Sequence, residues 1–495
     1  MKNATTYLFA ITFVHLLIGQ LNANENDQQP NVIVIMTDEH NFRTLGCYRD
    51  LLPKNLANMW GDAVVETPHI DSIADQGAIC TSYYATTPVC SPSRAALISG
   101  MYPHLTPVST NNIPLDDNVI TFAEILKRSG YATGFAGKWH LDGAAKPGWA
   151  PKRKFGFDDN RFMFNRGHWK ILEQTENGPQ VGAKQQGKPS YAVTGATKET
   201  FTTDFLMDRT IDFVKENTDQ PFCFMLSLPD PHGPDTVRAP YDTMYDDQTY
   251  SRPKSATKDF SEIPSWGQKQ QGNFAQSKYY GMVKCIDDNI GRLISTLKEK
   301  RLYDKTIFVF TSDHGDLRGE HHRQNKGVPY EASTRVPFLI RYPKLIKKHV
   351  VIKEALGSID FLPTLCTMTN TKPIIPPHGR DFSGFFSKNS ADDWNDIAIV
   401  RGTGDRKGWL MAVSDRYKLV VSANDPMWFF DLERDPNEMI NLRDHPGYRE
   451  TIKTMAAELI AYGKKYNEPF VGQTQIKSDL DWAVSKIGKY PNSLD

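Results

Sequence analysis

Four short apolar runs constrain the fold of this 495-residue chain more than any other feature, because each ends abruptly in charged or histidine residues. Nearly continuous apolar stretches of this length favour strands that are buried on both faces, as in a parallel sheet. Helix-like stretches lie between them, and this alternation predicts an α/β fold with right-handed crossovers. The runs occupy residues 31–36, 131–136, 222–228 and 306–310.

Helical spacing predicts three helices between these strands. Residues 121–129 begin at Thr121, a good N-cap, and stop at Gly130, whereas residues 201–215 and 279–300 are identified by periodicity alone. We therefore expect a large central, mostly parallel sheet that is flanked by helices.

The pattern changes after about residue 385, and the chain is longer than one hydrophobic core usually supports. Short strand-like segments joined by turn residues then favour an antiparallel sheet. We predict a large α/β domain at residues 30–389 and a smaller C-terminal α+β subdomain at residues 390–495. The segments of the small sheet are residues 397–401, 409–413, 417–421 and 428–431.

The N-terminus has the features of a signal peptide. Lys2 provides the positive charge, residues 7–18 form a short apolar run, and residues 21–23 offer a plausible cleavage site. We predict a signal peptide at residues 1–23 and an exported chain, periplasmic or secreted. An uncleaved anchor is the alternative, although a span needs roughly 20 apolar residues. No other segment is expected to span a membrane.

The charge balance excludes one class of partner. The chain has 58 basic and 58 acidic residues, so no global field attracts nucleic acid and we expect no such partner. The six cysteines are too sparse for a disulfide scaffold, and no CxxC motif suggests zinc.

The residues that follow the four apolar runs are of the types that carry chemistry. In an open α/β sheet, ligands bind outside the carboxyl ends of the strands, so these side chains are expected to converge on one cleft. They include Asp38 and Glu39, Lys138 and His140, His232, and Asp313 and His314.

The sharpest local signal is Cys90-Ser91-Pro92-Ser93-Arg94. Ser91 is a suitable N-cap and Pro92 suits the first helical position, so Cys90 is expected just before a helix that ends at Gly100. Free amide groups at such a terminus favour an anion, and Arg94 adds a positive fork one turn further on. The alternative is a capped helix with an incidental cysteine.

This Cys-x-Pro-Ser-Arg motif resembles the signature of the type I sulfatases, formylglycine-dependent enzymes of the alkaline-phosphatase-like superfamily. The resemblance extends from about residue 31 to residue 436. It implies an alkaline-phosphatase-like fold and oxidation of Cys90 to formylglycine (3-oxoalanine) by a formylglycine-generating or sulfatase-maturing enzyme. Further motifs in the expected order are residues 137–140 (GKWH), 231–232 (PH), 312–315 (SDHG), Lys326 and residues 431–436.

The resemblance also implies one Ca²⁺ per chain. Its predicted ligands are Asp38, Glu39, the modified Cys90, Asp313 and His314. Carboxylate oxygens suit a hard cation. Many relatives have aspartate where this chain has Glu39 and asparagine where it has His314. Because nitrogen is an unusual ligand for calcium, Mg²⁺ or Mn²⁺ stays open.

The same family pattern assigns catalytic roles. Arg94, Lys138 and Lys326 would stabilise charge that develops on the sulfate in the transition state. His140 resembles the histidine that contacts the formylglycine, and His232 resembles the one that protonates the departing alcohol. The nucleophile is a hydroxyl of the hydrated formylglycine at position 90, whose second hydroxyl allows the covalent intermediate to break.

The substrate is less constrained. Residues 152–170 interleave cations with aromatic residues, and this segment either binds an anionic sugar chain, with Trp169 on a sugar face, or packs its aromatic residues into the core. We expect a sulfated carbohydrate, a polysaccharide or oligosaccharide. Two alternatives stay open: a phosphonate or phosphate monoester hydrolase of the same superfamily, and an inactive protein that binds sulfated glycans.

Overall fold

The structure is a computed structural model that describes residues 29–257, 259, 263–268, 274–387, 393–485 and 490. The predicted signal peptide, residues 1–23, lies outside the described residues, as does the predicted domain boundary at residues 389 and 390. Within the part of the chain that the structure describes, every helix is too short or too polar to span a lipid bilayer. None of the six cysteines forms a disulfide.

The described strands belong to one large sheet and several small ones. They are β1 (Asn31–Asp38), β2 (Ala78–Cys80), β3 (Tyr83–Tyr84), β4 (Ala132–Lys138), β5 (Asp159–Phe164), β6 (Leu172–Thr175), β7 (Gly178–Val181), β8 (Lys184–Gln185), β9 (Lys188–Pro189), β10 (Phe222–Pro231), β11 (Thr306–Ser312), β12 (Phe338–Arg341), β13 (Val350–Ile352), β14 (Leu356–Gly357), β15 (Ala398–Arg401), β16 (Trp409–Val413), β17 (Tyr417–Ser422) and β18 (Trp428–Asp431).

The described α-helices pack on these sheets. They are α1 (Gly46–Arg49), α2 (Lys54–Ala57), α3 (Pro68–Asp75), α4 (Cys90–Ser99), α5 (Phe122–Arg128), α6 (Thr202–Glu216), α7 (Gln276–Glu299), α8 (Glu331–Thr334), α9 (Phe361–Met368), α10 (Arg449–Tyr466) and α11 (Thr474–Ser485).

The large sheet has eight strands in the order β13-β2-β12-β11-β1-β10-β4-β5. All neighbouring pairs are parallel except those of β12, which runs against both β11 and β2. The four apolar runs therefore form β1, β4, β10 and β11, which lie side by side. This confirms the predicted mostly parallel sheet.

Strand β1 explains why these runs lack alternation. Val32, Val34 and Met36 face one hydrophobic core, and Ile33 and Ile35 face a second core on the other side of the sheet. All five side chains are almost inaccessible to solvent. A strand covered by helices on both faces needs apolar residues at every position.

The N-terminal caps of two predicted helices can be compared with the caps in the structure. Thr121 forms a capping box with Glu124 at the start of α5, as its sequence suggests. Helix α4 starts two residues earlier than expected: its N-cap is Val89, and Ser91 lies inside the first turn. The Ser91 hydroxyl instead donates to the His140 carbonyl at 2.7 Å. Gly100 ends α4 in the left-handed region, as predicted.

The C-terminal part contains the predicted antiparallel sheet. Strands β15 to β18 pair in sequence order, each antiparallel to the next. Helices α10 and α11 pack against one face of this sheet through their own hydrophobic core. The fold class is therefore the predicted one, with a small antiparallel sheet beside the large parallel one.

Candidate active site

The central strands end at one edge of the large sheet and deliver the candidate residues there. The register aligns Asp38 of β1 with Pro231 of β10, and Thr37 with Ser312 of β11. Gly137 of β4 aligns with Ser227 of β10. The sequence positions are hundreds of residues apart, and the parallel register makes them neighbours.

Four of the predicted metal ligands form one compact group. Asp38, Cys90, Asp313 and His314 each offer a ligand atom, and these atoms lie within 4.8 Å of one another. The Cys90 sulfur lies 3.2 Å from His314 Nε2 and 3.8 Å from Asp38 Oδ1. All four residues are at most 3% exposed, so their polar groups are removed from water.

The charges of this group suit a hard divalent cation. Burial and the neighbouring Asp38 carboxylate raise the pKa of Asp313. Burial also acts to raise the pKa of Asp38, but Lys138, His232 and Arg94 outweigh it and hold that pKa well below its usual value. Burial acts to lower the pKa of His314, but the Asp313 carboxylate raises it to about 9. A cation between the two carboxylates would relieve their repulsion.

Arg94 holds the two aspartates in place. Its Nε donates to Asp313 Oδ2 at 2.9 Å and its Nη2 donates to Asp38 Oδ2 at 3.1 Å. Its Nη1 donates to the Lys138 carbonyl and to the Ser227 hydroxyl, both at 2.6 Å. The guanidinium group is thus engaged by protein oxygens. Its predicted contact with the substrate anion stays a prediction.

Cys90 is the first residue of α4, with its thiol in the metal-ligand group. The Ser91 amide donates to Asn111 Oδ1 at 2.9 Å. The sequence predicted free amide groups at this helix terminus, but this amide is not available to bind an anion. Burial and Asp38 act to raise the pKa of the Cys90 thiol. Lys138, Lys326 and His314 outweigh both and lower this pKa well below its ordinary value.

Lys138 and His140 approach Cys90 from the end of β4. The Lys138 ammonium contacts Asp38 Oδ2 and lies 3.8 Å from the Cys90 sulfur. Gly137 has φ +108°, and a Cβ there would lie 1.9 Å from the Ser227 carbonyl oxygen. Burial lowers the pKa of His140, and its Nδ1 has no hydrogen-bond partner among the described residues.

Glu39, His232 and Lys326 form a second cluster beside the metal-ligand group. His232 Nε2 lies 2.9 Å from Glu39 Oε2 and 2.8 Å from Lys326 Nζ. Lys326 Nζ lies 3.1 Å from Glu39 Oε1. Glu39 therefore contacts these two side chains rather than joining the four-residue group, and its role as a metal ligand stays a prediction.

The proton of His232 can be assigned from these contacts. Its Nδ1 lies 2.9 Å from the Gly233 carbonyl oxygen, which can only accept, so Nδ1 carries a proton. Nε2 then donates to Glu39 when it is protonated and accepts from Lys326 when it is not. The arrangement suits a side chain that gives up a proton and regains it.

His168 also belongs to the site, although the sequence did not single it out as a site residue. Its Nε2 accepts from Lys138 Nζ at 2.8 Å, and its ring stacks on that of His232. Burial, together with the charges of His232 and Lys138, lowers the pKa of His168 well below its ordinary value. Only its place in the basic aromatic segment 152–170 could have drawn attention to it.

The aromatic residues of that segment pack into the hydrophobic cores beside the sheet. Trp169 is 2% exposed and belongs to one of the two cores beside the sheet. Its ring contacts Tyr191 at 4.9 Å between centroids and its Nε1 donates to the Arg166 carbonyl. The expectation that Trp169 offers a sugar platform is therefore wrong, because the core covers its faces.

Both the comparison with family models and the comparison with curated proteins find similarity to sulfatases. A family model described as Sulfatase matches residues 30–371, and a model described as N-sulphoglucosamine sulphohydrolase, C-terminal, matches residues 319–465. Among curated proteins, an ulvan-active sulfatase of Formosa agariphila is 28% identical over 455 residues, which cover 89% of this chain and 82% of that protein.

Two solved structures share the fold. One is a protein in complex with its substrate D-glucosamine-2-N,6-O-disulfate; the TM-score is 0.70 at 22% identity, covering 89% of this chain and 98% of the other. The second is a phosphonate monoester hydrolase of Agrobacterium radiobacter; the TM-score is 0.69 at 22% identity, covering 88% and 96%.

Proposed function

This chain belongs to the sulfatase family, and from that premise we propose that it removes sulfate from a sulfated polysaccharide or oligosaccharide with a formylglycine at position 90 and one Ca²⁺. The observation that carries the proposal is the buried group of Asp38, Cys90, Asp313 and His314 at the start of α4. Cationic side chains border this group, and a sulfate group that gains negative charge in the transition state needs such an environment.

The cofactors supply the parts that ordinary side chains lack. A divalent cation held by Asp38, Asp313 and His314 would neutralise sulfate oxygens, and a hydrated formylglycine would supply a nucleophilic hydroxyl with a second hydroxyl for release of sulfate. Arg94 fixes both aspartates for this purpose through three hydrogen bonds and ion pairs. Mg²⁺ or Mn²⁺ remains the alternative ion because of the His314 nitrogen.

The proton transfers are assigned to two histidines of the site. His232 donates the proton of its Nε2 to the departing alcohol, and Lys326, at 2.8 Å, stabilises the neutral ring that results. His140 keeps an unpartnered Nδ1 in a buried place near Cys90, so it can accept a proton from the hydroxyl that expels sulfate. Lys138 offers its ammonium to the developing negative charge.

The substrate class is supported by relatives. The Formosa relative is an ulvan-active sulfatase, and one protein of the same fold was solved with a disulfated glucosamine. We further propose that the chain is exported, as residues 1–23 suggest, and matured there or earlier by a formylglycine-generating or sulfatase-maturing enzyme.

A second candidate function has one specific observation in its favour. The His314 imidazole lies in the metal-ligand group, 3.7 Å from Asp38 Oδ1, and nitrogen ligands suit manganese or zinc better than calcium. Such a site would also serve a phosphonate or phosphate monoester hydrolase, and an enzyme of that activity shares the fold.

The first experiment is peptide mass spectrometry of the mature chain combined with matched assays. Conversion of Cys90 lowers the mass of its peptide by roughly 18 Da, because CH2SH becomes CHO. The converted protein should release sulfate from sulfated oligosaccharides and act more slowly on phosphate and phosphonate esters. A preference for phosphorus esters would contradict the first proposal and favour the second candidate.

A variant pair tests the nucleophile. Cys90→Ala should abolish turnover, whereas Cys366→Ala, which also replaces a buried cysteine, should keep it. Both proteins should retain the circular dichroism spectrum of the wild type. An unmodified Cys90 together with no turnover of any ester, but retained binding of sulfated glycans, would point to the inactive binding protein instead.

A further inference from the structure

Two histidine rings stack face to face at the edge of the site. The ring centroids of His168 and His232 lie 3.6 Å apart, with 9° between the ring planes. Each side chain is less than one fifth exposed, at 18% and 16%. The imidazole that we assign as the proton donor is thus covered on one face by a second imidazole.

A buried ion pair ties together the backbone segments that carry the two rings. Lys170, two residues after His168, donates from Nζ to Asp230 Oδ1 at 2.6 Å, and Asp230 lies two residues before His232. Both side chains are completely inaccessible to solvent. Asp230 Oδ2 also accepts from the Thr203 hydroxyl at 2.7 Å. A buried pair with satisfied oxygens fixes one relative position of the two segments.

Contacts of the neighbouring residues 167 and 170 also hold the backbone around His168. Gly167 has φ +126°, and a Cβ there would lie 2.3 Å from the Trp169 ring. The Lys170 carbonyl accepts from the Thr202 amide at 3.1 Å. His168 therefore projects from a segment that the core anchors immediately after it.

The two rings have separate partners at their Nε2 atoms. His168 accepts from Lys138, and His232 lies within 3 Å of Glu39 and Lys326. Among the ring contacts of the described residues, His232 stacks on His168, and its ring nitrogens bind Gly233, Glu39 and Lys326. A flat ring on one face restricts rotation about the bond that sets the direction of Nε2.

We propose that His168 is a positioning residue: its ring holds the His232 imidazole in the orientation from which Nε2 protonates the leaving alcohol. This rests on the proposed function, because His232 must be the proton donor for its orientation to matter. The stack on His232 would thus serve proton transfer. The hydrogen bond to Lys138 would instead hold the ammonium group that we assign to stabilising the sulfate.

Another arrangement of the same atoms is a second metal site. Asp38, His168 and His232 offer ligand atoms that lie within 4.8 Å of one another. The Lys138 ammonium, however, contacts both Asp38 and His168, so a positive charge is already present between them. A second cation there would be repelled by it.

The test uses sulfate esters ranked by the acidity of the leaving alcohol, from aryl sulfates to sulfated sugars. A good leaving group departs without a proton, and a poor one requires it. His168→Ala should lower kcat by about 10–100-fold for the least acidic alcohol and by less than about threefold for the most acidic one, because small misplacement of a catalytic group is costly.

Two further variants separate stacking from hydrogen bonding. His168→Phe keeps a flat ring but no acceptor for Lys138, so any loss of kcat should be uniform across the esters. His168→Asn keeps an acceptor without the ring and should show the loss that depends on the leaving group. Crystal structures should show the His232 ring in place in the Phe variant and displaced in the Ala and Asn variants.

Control variants distinguish a failure of the proposed role of His232 from a failure of the inference about His168. His349→Ala removes a side chain that is 72% exposed and should match the wild type on every ester. His232→Ala must itself show the dependence on the leaving group; if it does not, the proposed role of His232 fails. If His232→Ala shows it and His168→Ala does not, or if the His232 ring stays in place without His168, the inference alone is overturned. A second equivalent of metal that is lost only in the His168 variants would also overturn it.

Discussion

Replacement of Lys418 by methionine tests whether a buried charge cluster couples the C-terminal sheet to the segment that follows Lys326. Lys418 lies in β17 and is inaccessible to solvent. Its Nζ lies 2.7 Å from both Glu331 Oε1 and Glu438 Oε1 and donates to the Pro329 carbonyl at 2.9 Å. Pro329 belongs to the segment that follows Lys326.

The magnitude follows from what the variant leaves behind. Two carboxylates would remain buried side by side, Glu331 with Arg335 at 3.5 Å and Glu438 without its lysine. Removing one partner of a buried charge pair costs about 3–5 kcal/mol. Burial and the Glu331 charge already raise the pKa of Glu438 to about 7, although Lys418 acts to lower it. Without Lys418 this pKa rises further, and each unit is worth about 1.4 kcal/mol.

The pH dependence has a definite sign. The folded-state pKa of Glu438 lies above its ordinary value of 4.5, so the fold favours the protonated form. Its contribution to stability is present below pH 4.5 and is lost as the pH rises through about 7. Lys418 also lowers the pKa of Glu331, so Lys418→Met should destabilise the protein at pH 5 as well. The loss at pH 5 should be smaller than the loss of about 3–5 kcal/mol at pH 8, where Glu438 is ionised too.

The assay is urea unfolding at pH 5 and pH 8, followed by tryptophan fluorescence. Lys407→Met, which removes an exposed lysine just before β16, is the matched control and should change the free energy of unfolding by less than about 0.5 kcal/mol. Equal destabilisation at both pH values, or none beyond that of the control, would refute the assignment of unpaired buried carboxylates.

Three further predictions concern single sites. Gly137→Ala should destabilise the protein by about 1–3 kcal/mol more than Gly178→Ala and reduce turnover, since both have positive φ but only Gly137 faces a backbone clash; thermal unfolding and kcat check this. Chelation of divalent ions should lower the thermal midpoint of the wild type, because it removes a ligand of the folded state. A metal at a hundredfold excess over its Kd stabilises the folded state by about 2.7 kcal/mol. The thermal midpoint of Asp313→Asn should not change on chelation. Burial raises the pKa of Asp479 to about 6, so the stability that this residue contributes is present at low pH and is lost as the pH rises. Asp479→Asn should therefore stabilise the protein by about 3 kcal/mol at pH 8 and leave its stability unchanged at pH 3. Urea unfolding at the two pH values measures this difference.

Local sequence patterns determined the layout of this protein. Nearly continuous apolar runs form β1, β4, β10 and β11, because a strand covered on both faces favours apolar side chains at most positions. The same patterns predicted that the strand ends share one edge and that Cys90 lies at a helix terminus. The catalytic roles of Arg94, Lys138, His140, His232 and Lys326 stay predictions.

Only the tertiary structure decided which partners these side chains have. Ser91 is a good cap by type, yet its hydroxyl bonds the His140 carbonyl 49 residues away, because the backbone already turns into the helix at Val89. Glu39 contacts His232 and Lys326, and His168 joins the site through a stack on a ring 64 positions further along the chain. Such contacts depend on the register between strands and on packing of loops, which no periodicity within a single segment encodes.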